Sequence, residues 1–453
     1  MVGSGLMVAV IGAGPAGLFA SKQLAADGHE VVLLNQDIKP GGLAEYGIYL
    51  NKYKMKEGLR KQFRSILADP LVHYYGNCRI GKNGDLTLND LREMGFAAVL
   101  VTTGAQSAKP LGIPGENLPG VYHAKDVVYH YNLLPPFSRM TMKIGRKVAV
   151  VGAGNVMMDI THWLIDEKRV DEVVAVVRRG PAEVKFDKRE LESVAANLDL
   201  DALKQEISHA TPLMRSLGQD PDAAFALYTD AVAKAETHSA PTRFSLRFLS
   251  SPRECLADTG GNFCGLVVEE NTLAPAEGGP RAIGTGLLNT LAADTLILAI
   301  GDRVDDHLGL PLNGNQYGIH PKPAYPVDGI SYEAFDPATG SVVEGIFMAG
   351  WARQASTGLV GVARKDATNA AAAVGQYLAS RTGGSHPQAD MVLAKLEQQL
   401  THRVNAADIQ KLEAYEQEQA AERGMEIFKL DTNDQMLAVI RNENGGSSGS
   451  LNQ

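Results

Sequence analysis

Apolar and polar positions along this chain set out two similar units, one following the other. Residues 6–11, LMVAVI, form a continuous apolar run, the pattern of a strand buried on both faces. GAGPAG comes next, then a helical stretch to about Ala26, and GHEVVLLN reads as a second strand. AAVLVTT at 97–103 predicts a further buried strand ending at Gly104. The prolines and glycines of AKPLGIPGENLPGV then forbid regular structure and mark a crossing between domains.

The same grammar restarts at Lys147. A strand leads to the turn in VAVVGAGNVMMD, a helix runs to about Lys168, and EVVAVVRR completes the unit. Residues 190–237 read as mostly helical, and TRFSLRFLSS has the period-two alternation of a strand. LVVEENTL and the buried-type ADTLILAIGD predict two more strands. Beyond Ile319 the prolines return. GIFMAGWA predicts one last buried strand, and GLVGVARKDATNAAAAVGQYLA a helix opened by Gly358. A linker near Gly383 and Gly384 leads to a polar segment. A helix is expected there from about Ala406 to Arg423, with Asn405 and Asp408 as caps and Gly424 as its stop. The terminal GGSSGSLNQ has the composition of a disordered tail.

The first unit thus lacks its last strand until residue 346, and the second unit is an insert within it. The expected fold is α/β, with two Rossmann-like dinucleotide-binding domains and a short, mostly helical C-terminal extension. The first domain covers 1–108 and 320–384, the second 109–319, the extension 385–444 and the tail 445–453.

Gly12, Gly14 and Gly17 fit GxGxxG between a strand and a helix. In that pattern the first glycine permits the tight turn, the second lets a pyrophosphate reach the backbone, and the third lets helix and strand pack closely. In the second copy Gly152 and Gly154 keep the two phosphate-side positions, and Met157 occupies the packing position. The fingerprint expects an acid at the end of the second strand, for a ribose hydroxyl. Asn35 stands there in the first unit, either as a ribose contact or as a turn residue. In the second unit Arg178 and Arg179 follow the strand, and guanidinium groups suit a ribose 2′-phosphate. That favours NADP over NAD in the second domain.

Composition narrows the field. The 453 residues are 45% hydrophobic and 21% charged, with a net charge of −9, so nothing suggests nucleic acid binding. The three cysteines, Cys78, Cys255 and Cys264, form no CxxC pair, which argues against a disulfide scaffold, a zinc site, a built-in iron–sulfur cluster or a dithiol active site. No apolar run reaches the length of a membrane helix, and no lysine or arginine precedes the apolar start. A cytoplasmic location is expected.

More specific stretches are PGGLAEYGI, TTGAQSAKPLGIPGENLPGV, GAGNVMMDI, RRGPAEVKFDKREL, RFLSSP and GWARQASTGLVGVARKDA. On these, the chain resembles the adrenodoxin reductase-type ferredoxin–NADP reductases from about residue 6 to 440, and more distantly the glutamate synthase small subunit. The resemblance implies FAD in the first domain, held by Gly12, Gly14, Ala16, Gly17, Asn35, Leu43, Trp351, Gly358, Leu359 and Val360. Trp351 is either a ring contact or core packing. For NADP the resemblance implies Gly152, Gly154, Asn155, Val156, Arg178, Arg179 and Glu190. Asp159 matches an aspartate that the family places near the flavin. The family's Asp-His-Pro triplet is replaced by Asn51, Lys52 and Tyr53, so a fixed cation, Lys52, stands where a titrating histidine is usual.

The activity so implied is hydride transfer from NADPH to FAD, then electron transfer to a ferredoxin-like iron–sulfur protein. Arg243, Arg247 and Arg253 are either its docking patch or a solvated strand face. Two other readings stay open: a flavin subunit serving a dedicated partner enzyme, and a non-catalytic FAD-binding protein.

Overall fold

The computed structural model describes residues 6–235, 240–381 and 388–442. The expected linker glycines 383 and 384 and the tail 445–453 lie outside the described residues. The chain divides into two compact units. One comprises residues up to Ala108, Tyr129–Arg139 and Gly301 onward; the other comprises Lys109–Val128 and Met140–Ile300.

In the first unit a six-stranded sheet has the order Glu333–Asp336, Ser341–Met348, Ala98–Val101, Met7–Ile11, Glu30–Leu34 and Val72–Tyr75. All neighbours are parallel except the first pair. Met7–Ile11 and Ala98–Val101 are buried along their whole length, as central parallel strands covered on both faces must be. Ser341–Met348 enters beside Ala98–Val101 with Ile346 opposite Val99, so the last strand of this sheet does come from far along the chain. Helix Pro15–Ala26 and helix Val360–Ser380 pack on one face, their alanine-rich sides sharing a core with Val8, Val10 and Leu33.

The second unit has a parallel five-stranded sheet ordered Val121–His123, Thr295–Leu298, Lys147–Val151, Glu172–Val176 and Arg243–Arg247. Phe244, Ser245 and Leu246 are all buried. The alternation in TRFSLRFLSS therefore does not give a half-exposed strand, because covered parallel strands bury both faces. At Leu249, φ 51°, the chain turns out of this sheet into an antiparallel one made of Ser250–Ala257, Phe263–Ala274 and Arg281–Ala292.

Helix Ala406–Glu422 begins with the expected capping box, Asn405 and Asp408 exchanging hydrogen bonds of 3.0 and 3.1 Å, and Gly424 follows it at φ +63°. Helices Ala389–Gln399 and Asn433–Ile440 complete the C-terminal segment.

Candidate functional site

The first glycine turn is built as its spacing demands. A Cβ on Gly12, which sits at φ +103°, would stand 2.7 Å from the Thr102 carbonyl oxygen. One on Gly17 would stand 1.9 Å from the Gly12 carbonyl oxygen. Neither position tolerates a side chain. At Gly14 nothing lies within 4 Å of the missing Cβ. Gly14 is the N-cap of helix Pro15–Ala26, with no side-chain cap and Pro15 at the first helical position. Free backbone N–H groups and open space meet there, which is what an anionic phosphate requires.

Asn35 braces this turn from within. Its side chain is buried; Oδ1 accepts from the Ala13 N–H at 3.0 Å, and Nδ2 donates to the carbonyls of Asp37 and Lys39 and to the Tyr74 hydroxyl. The amide's Nδ2 and one acceptor position of Oδ1 are thus engaged inside the protein. Thr102, which the sequence reading passed over, donates its hydroxyl to the carbonyls of Ile11 and Gly12.

Residues 39–46 wrap over the turn. The Gly41 N–H donates to the Ala13 carbonyl at 2.7 Å, and a Cβ on Gly42 would be 3.1 Å from Gly14 Cα. Leu43 begins the short helix Leu43–Tyr46 and packs on Tyr46, Tyr129 and Leu134. This loop is fixed by a buried charge network. Lys39 pairs with Glu416, whose other oxygen accepts from the Leu430 N–H at 3.1 Å. Glu45 is gripped by Arg60 at 2.6 and 2.7 Å and by Lys429 at 2.5 Å. Those two cations, with Lys39, hold its carboxyl far below the usual carboxylate range despite burial. Beside them Lys56 is buried against Asn132 at 2.5 Å, and desolvation with the nearby Lys429 charge lowers its pKa to about 7. The C-terminal segment thus holds the loop that covers the first turn. No local signal marks these partners: Lys39 and Glu416 are 377 residues apart.

The third part of the first unit's site is Gly350–Ala352 and the start of helix Val360–Ser380. Gly350, at φ +64°, would bring a Cβ within 2.7 Å of Ala16 Cβ, so Ala16 packs against bare backbone. Asp366 accepts from the Gly350 N–H at 2.7 Å and pairs with Arg353. The Trp351 indole donates to the Thr357 carbonyl at 3.0 Å and is half-buried. The helix opens later than Gly358: Leu359 is the N-cap and Val360 the first helical residue, while Gly358 supplies a left-handed φ of +73° ahead of them. A side chain there would strike Val362. Leu359 is 69% exposed, unusually high for leucine.

The second turn repeats the first at two of its three positions. Gly152 would bring a Cβ 2.5 Å from the Ala299 carbonyl, and Gly154 has nothing within 4 Å and caps helix Asn155–Asp166 without a side-chain bond. Met157 is fully buried beneath that helix. Asn155 exchanges two 2.7 Å hydrogen bonds with Asp187, and the Lys185 N–H donates to the Ala153 carbonyl. Asp187 and Lys185 are further parts of this site; they lie in the VKFDKREL stretch but match no general motif. Val156 is 43% exposed, and Glu190 lies on helix Lys188–Glu192. Arg178 is exposed and Arg179 half-buried; Arg179 donates to the Glu183 carbonyl, and neither is ion-paired among the described residues. Their charge is available to an anion.

Lys52 is half-buried at the end of the turn Leu50–Lys52 in the first unit, and Asp159 half-buried on helix Asn155–Asp166 in the second. Of the three arginines weighed as a docking patch, Arg243 is held by Glu172 and Asp199, both at 2.6 Å, and Arg253 by Glu269, while Arg247 is half-buried at the end of its strand. Arg243 and Arg253 stay about half exposed with carboxylates beside them.

The fold and both turns define an α/β protein with two domains of the dinucleotide-binding type. Residues 6–199 match the pyridine nucleotide-disulphide oxidoreductase family. The chain is 28% identical to the NADPH-ferredoxin reductase FprA of Mycobacterium leprae, over 95% of this chain and 98% of that protein. It is 25% identical to the mitochondrial NADPH:adrenodoxin oxidoreductase of Arabidopsis thaliana, over 96% of each. Among solved structures, Mycobacterium tuberculosis FprA in complex with NADPH matches with a TM-score of 0.80 and 26% identity, covering 96% of this chain and 100% of that one. Over nearly its whole length, then, the chain is similar to proteins named NADPH-ferredoxin reductase and NADPH:adrenodoxin oxidoreductase.

Proposed function

We propose that this protein is an FAD-dependent oxidoreductase that takes reducing equivalents from NADPH and passes electrons to a ferredoxin-like iron–sulfur protein. The observation that carries this reading is the pair of open glycines, Gly14 and Gly154, each at an uncapped helix N-terminus, with unpaired Arg178 and Arg179 beside the second. Both sites fit a dinucleotide. Bound FAD supplies the chemistry that joins a two-electron donor to a one-electron acceptor.

The chain's own task is to hold and orient. Gly12, Gly14 and Gly17 would let the pyrophosphate of the first dinucleotide approach the backbone, and the loop carrying Leu43 would help to hold it. Trp351, Leu359 and Val360 are assigned to the flavin, where the N–H groups opening helix Val360–Ser380 favour negative charge. Gly152, Gly154, Asn155, Val156 and Glu190 are assigned to NADPH, with Arg178 and Arg179 on its 2′-phosphate. Lys52 and Asp159 are assigned to the flavin's surroundings on the resemblance, where Lys52 puts an ammonium group in place of the usual imidazole.

The described helices include none long and apolar enough to cross a membrane, and Cys78 and Cys255 are buried free thiols. A reducing, cytoplasmic setting fits them.

Purified protein is expected to be yellow, to bleach with NADPH under anaerobic conditions, and then to reduce an added ferredoxin. Protein that stays colourless after reconstitution with FAD refutes the proposal. Bleaching without reduction of any iron–sulfur carrier would leave the flavin chemistry standing and reject the acceptor.

A further inference from the structure

The antiparallel sheet of the second unit ends on a strand whose outer side no described segment pairs with. Arg281–Ala292 pairs on one side with Phe263–Ala274, and its other side is the sheet's edge. At about 3.3 Å per residue its 12 residues run for roughly 40 Å, twice a usual strand. Ten of the twelve are exposed, among them Ile283 at 46% and Leu287 and Leu288 at 61% each. From Ala282 to Ala292 there is no charged residue and no proline.

Three other sheet edges are treated differently. Glu333–Asp336 is four residues long with an acid at each end. Arg243–Arg247 is five long with an arginine at each end. Val72–Tyr75 is four long, and the chain just beyond it is bridged by Val404, which exchanges two hydrogen bonds with Gly76. Short length, charge and cover are the usual means of keeping an edge from pairing. Arg281–Ala292 is long, is uncovered among the described residues, and carries a single charge, Arg281, at its first position. Its one irregularity is a bulge, where residues 285–287 lie between Gly284, opposite Asn271, and Leu288, opposite Glu269. That kink is firmly built, with Gly286 N–H on the Glu269 carboxylate at 2.7 Å and the Thr285 hydroxyl on the Glu270 carbonyl at 2.9 Å. It leaves Leu287 and Leu288 turned out to solvent.

We propose that this edge is a docking surface for a second copy of the chain, the two strands pairing antiparallel about a two-fold axis. Charge selects that occupant. A protein with net charge −9 repels its own copies over most of its surface, but this strand, past Arg281 at its first position, opposes only neutral side chains to its own image. An acidic iron–sulfur carrier finds a single cation here, Arg281, and no complementary field. A standard interface uses about 20–30 residues a side. One strand supplies roughly half of that, so the dimer is expected to be of micromolar rather than nanomolar strength.

Sedimentation velocity on the full chain tests this, over about 1 to 100 µM, the range in which a micromolar dimer forms. Wild type is expected to pass from monomer to dimer across it. A Leu287→Lys/Leu288→Lys double variant is expected to stay monomeric, its dimer constant weakened at least about tenfold. Its circular dichroism and NADPH-driven ferricyanide reduction should match wild type, since both side chains are exposed. A wild type that is monomeric throughout overturns the proposal, as does a dimer equally strong in the double variant. A monomer that instead binds an iron–sulfur carrier in a manner lost in the double variant gives the strand to the carrier, and overturns the second copy as occupant.

Discussion

At Gly17 one added carbon would stand 1.9 Å from the Gly12 carbonyl oxygen, whereas at the matching place in the second turn a whole methionine side chain, Met157, is fully buried. The other two glycines behave alike. Gly12 and Gly152 each press on a carbonyl of the neighbouring strand end, and Gly14 and Gly154 each face open space. The comparison separates two demands that one motif mixes. Phosphate approach fixes the first two positions. The third answers to what lies beneath the helix, which in the first unit is the Gly12 backbone and the Thr102 hydroxyl. In the second unit that space belongs to a side chain.

Exchanging the two solutions gives the largest expected effects. Gly17→Ala forces backbone apart at a site with no flexible neighbour, and a loss of about 3 kcal/mol or more is expected, with the flavin released. Met157→Gly removes a fully buried side chain and adds helix-interior glycine, for about 3–6 kcal/mol. Chemical denaturation read by the flavin for the first unit, and by far-ultraviolet circular dichroism for both, checks this. A Gly17→Ala protein as stable and as yellow as wild type would show that the helix can move away, and the comparison would collapse.

The turns also differ in their supports. The first is covered by residues 39–46, pinned through Lys39, Glu45, Arg60, Glu416 and Lys429; the second is tied by the exposed Asn155–Asp187 pair. Glu45→Gln leaves two buried cations facing a neutral amide, and a loss of about 3–5 kcal/mol is expected at neutral pH. The sign with pH follows from the depressed Glu45 carboxyl. Its stabilisation is complete above the ordinary glutamate value and is lost as pH falls through the lowered one. The gap between wild type and Glu45→Gln should therefore begin to narrow as pH falls below the ordinary glutamate value and keep narrowing into strong acid. Thermal melts from neutral pH down to about pH 3, below the usual glutamate range, measure it.

Much of this frame is legible in the sequence, and the failures have physical causes. Long apolar runs such as VAVIG and VAVVG mark central parallel strands because burial on both faces leaves no polar position. Capping chemistry marks helix Ala406–Glu422 because it is local. Strand Val72–Tyr75 and strand Arg281–Ala292 escape a pattern reading: the first is short and aromatic, and the second exposes both faces and so has no period at all. The first turn's supports escape for a different reason. Asn35 looks like a ribose contact from its place at a strand end, but only the folded loop shows its amide committed to Ala13, Asp37 and Lys39. The pairing of Arg243 with Glu172 and Asp199, which come from elsewhere in the chain, is likewise not legible in the sequence.

The smallest effect addresses what each turn offers its ligand. The first presents open backbone, its strand-end side chain turned inward; the second adds Arg178 and Arg179, which no carboxylate neutralises among the described residues. If that asymmetry selects NADPH, an Arg178→Ala/Arg179→Ala variant loses charge-assisted bonds to a 2′-phosphate worth about 1.5–3 kcal/mol. KM for NADPH should rise about 10- to 100-fold with kcat little changed, because the contact is made equally in ground and transition states. KM for NADH should hardly move, since NADH lacks the phosphate. The flavin content should also be untouched, because both residues lie in the other unit. Steady-state kinetics with ferricyanide and each nucleotide read all of these at once. An equal rise for NADH and NADPH would mean that the arginines shape the turn rather than read the phosphate, and the two turns would then differ only in packing.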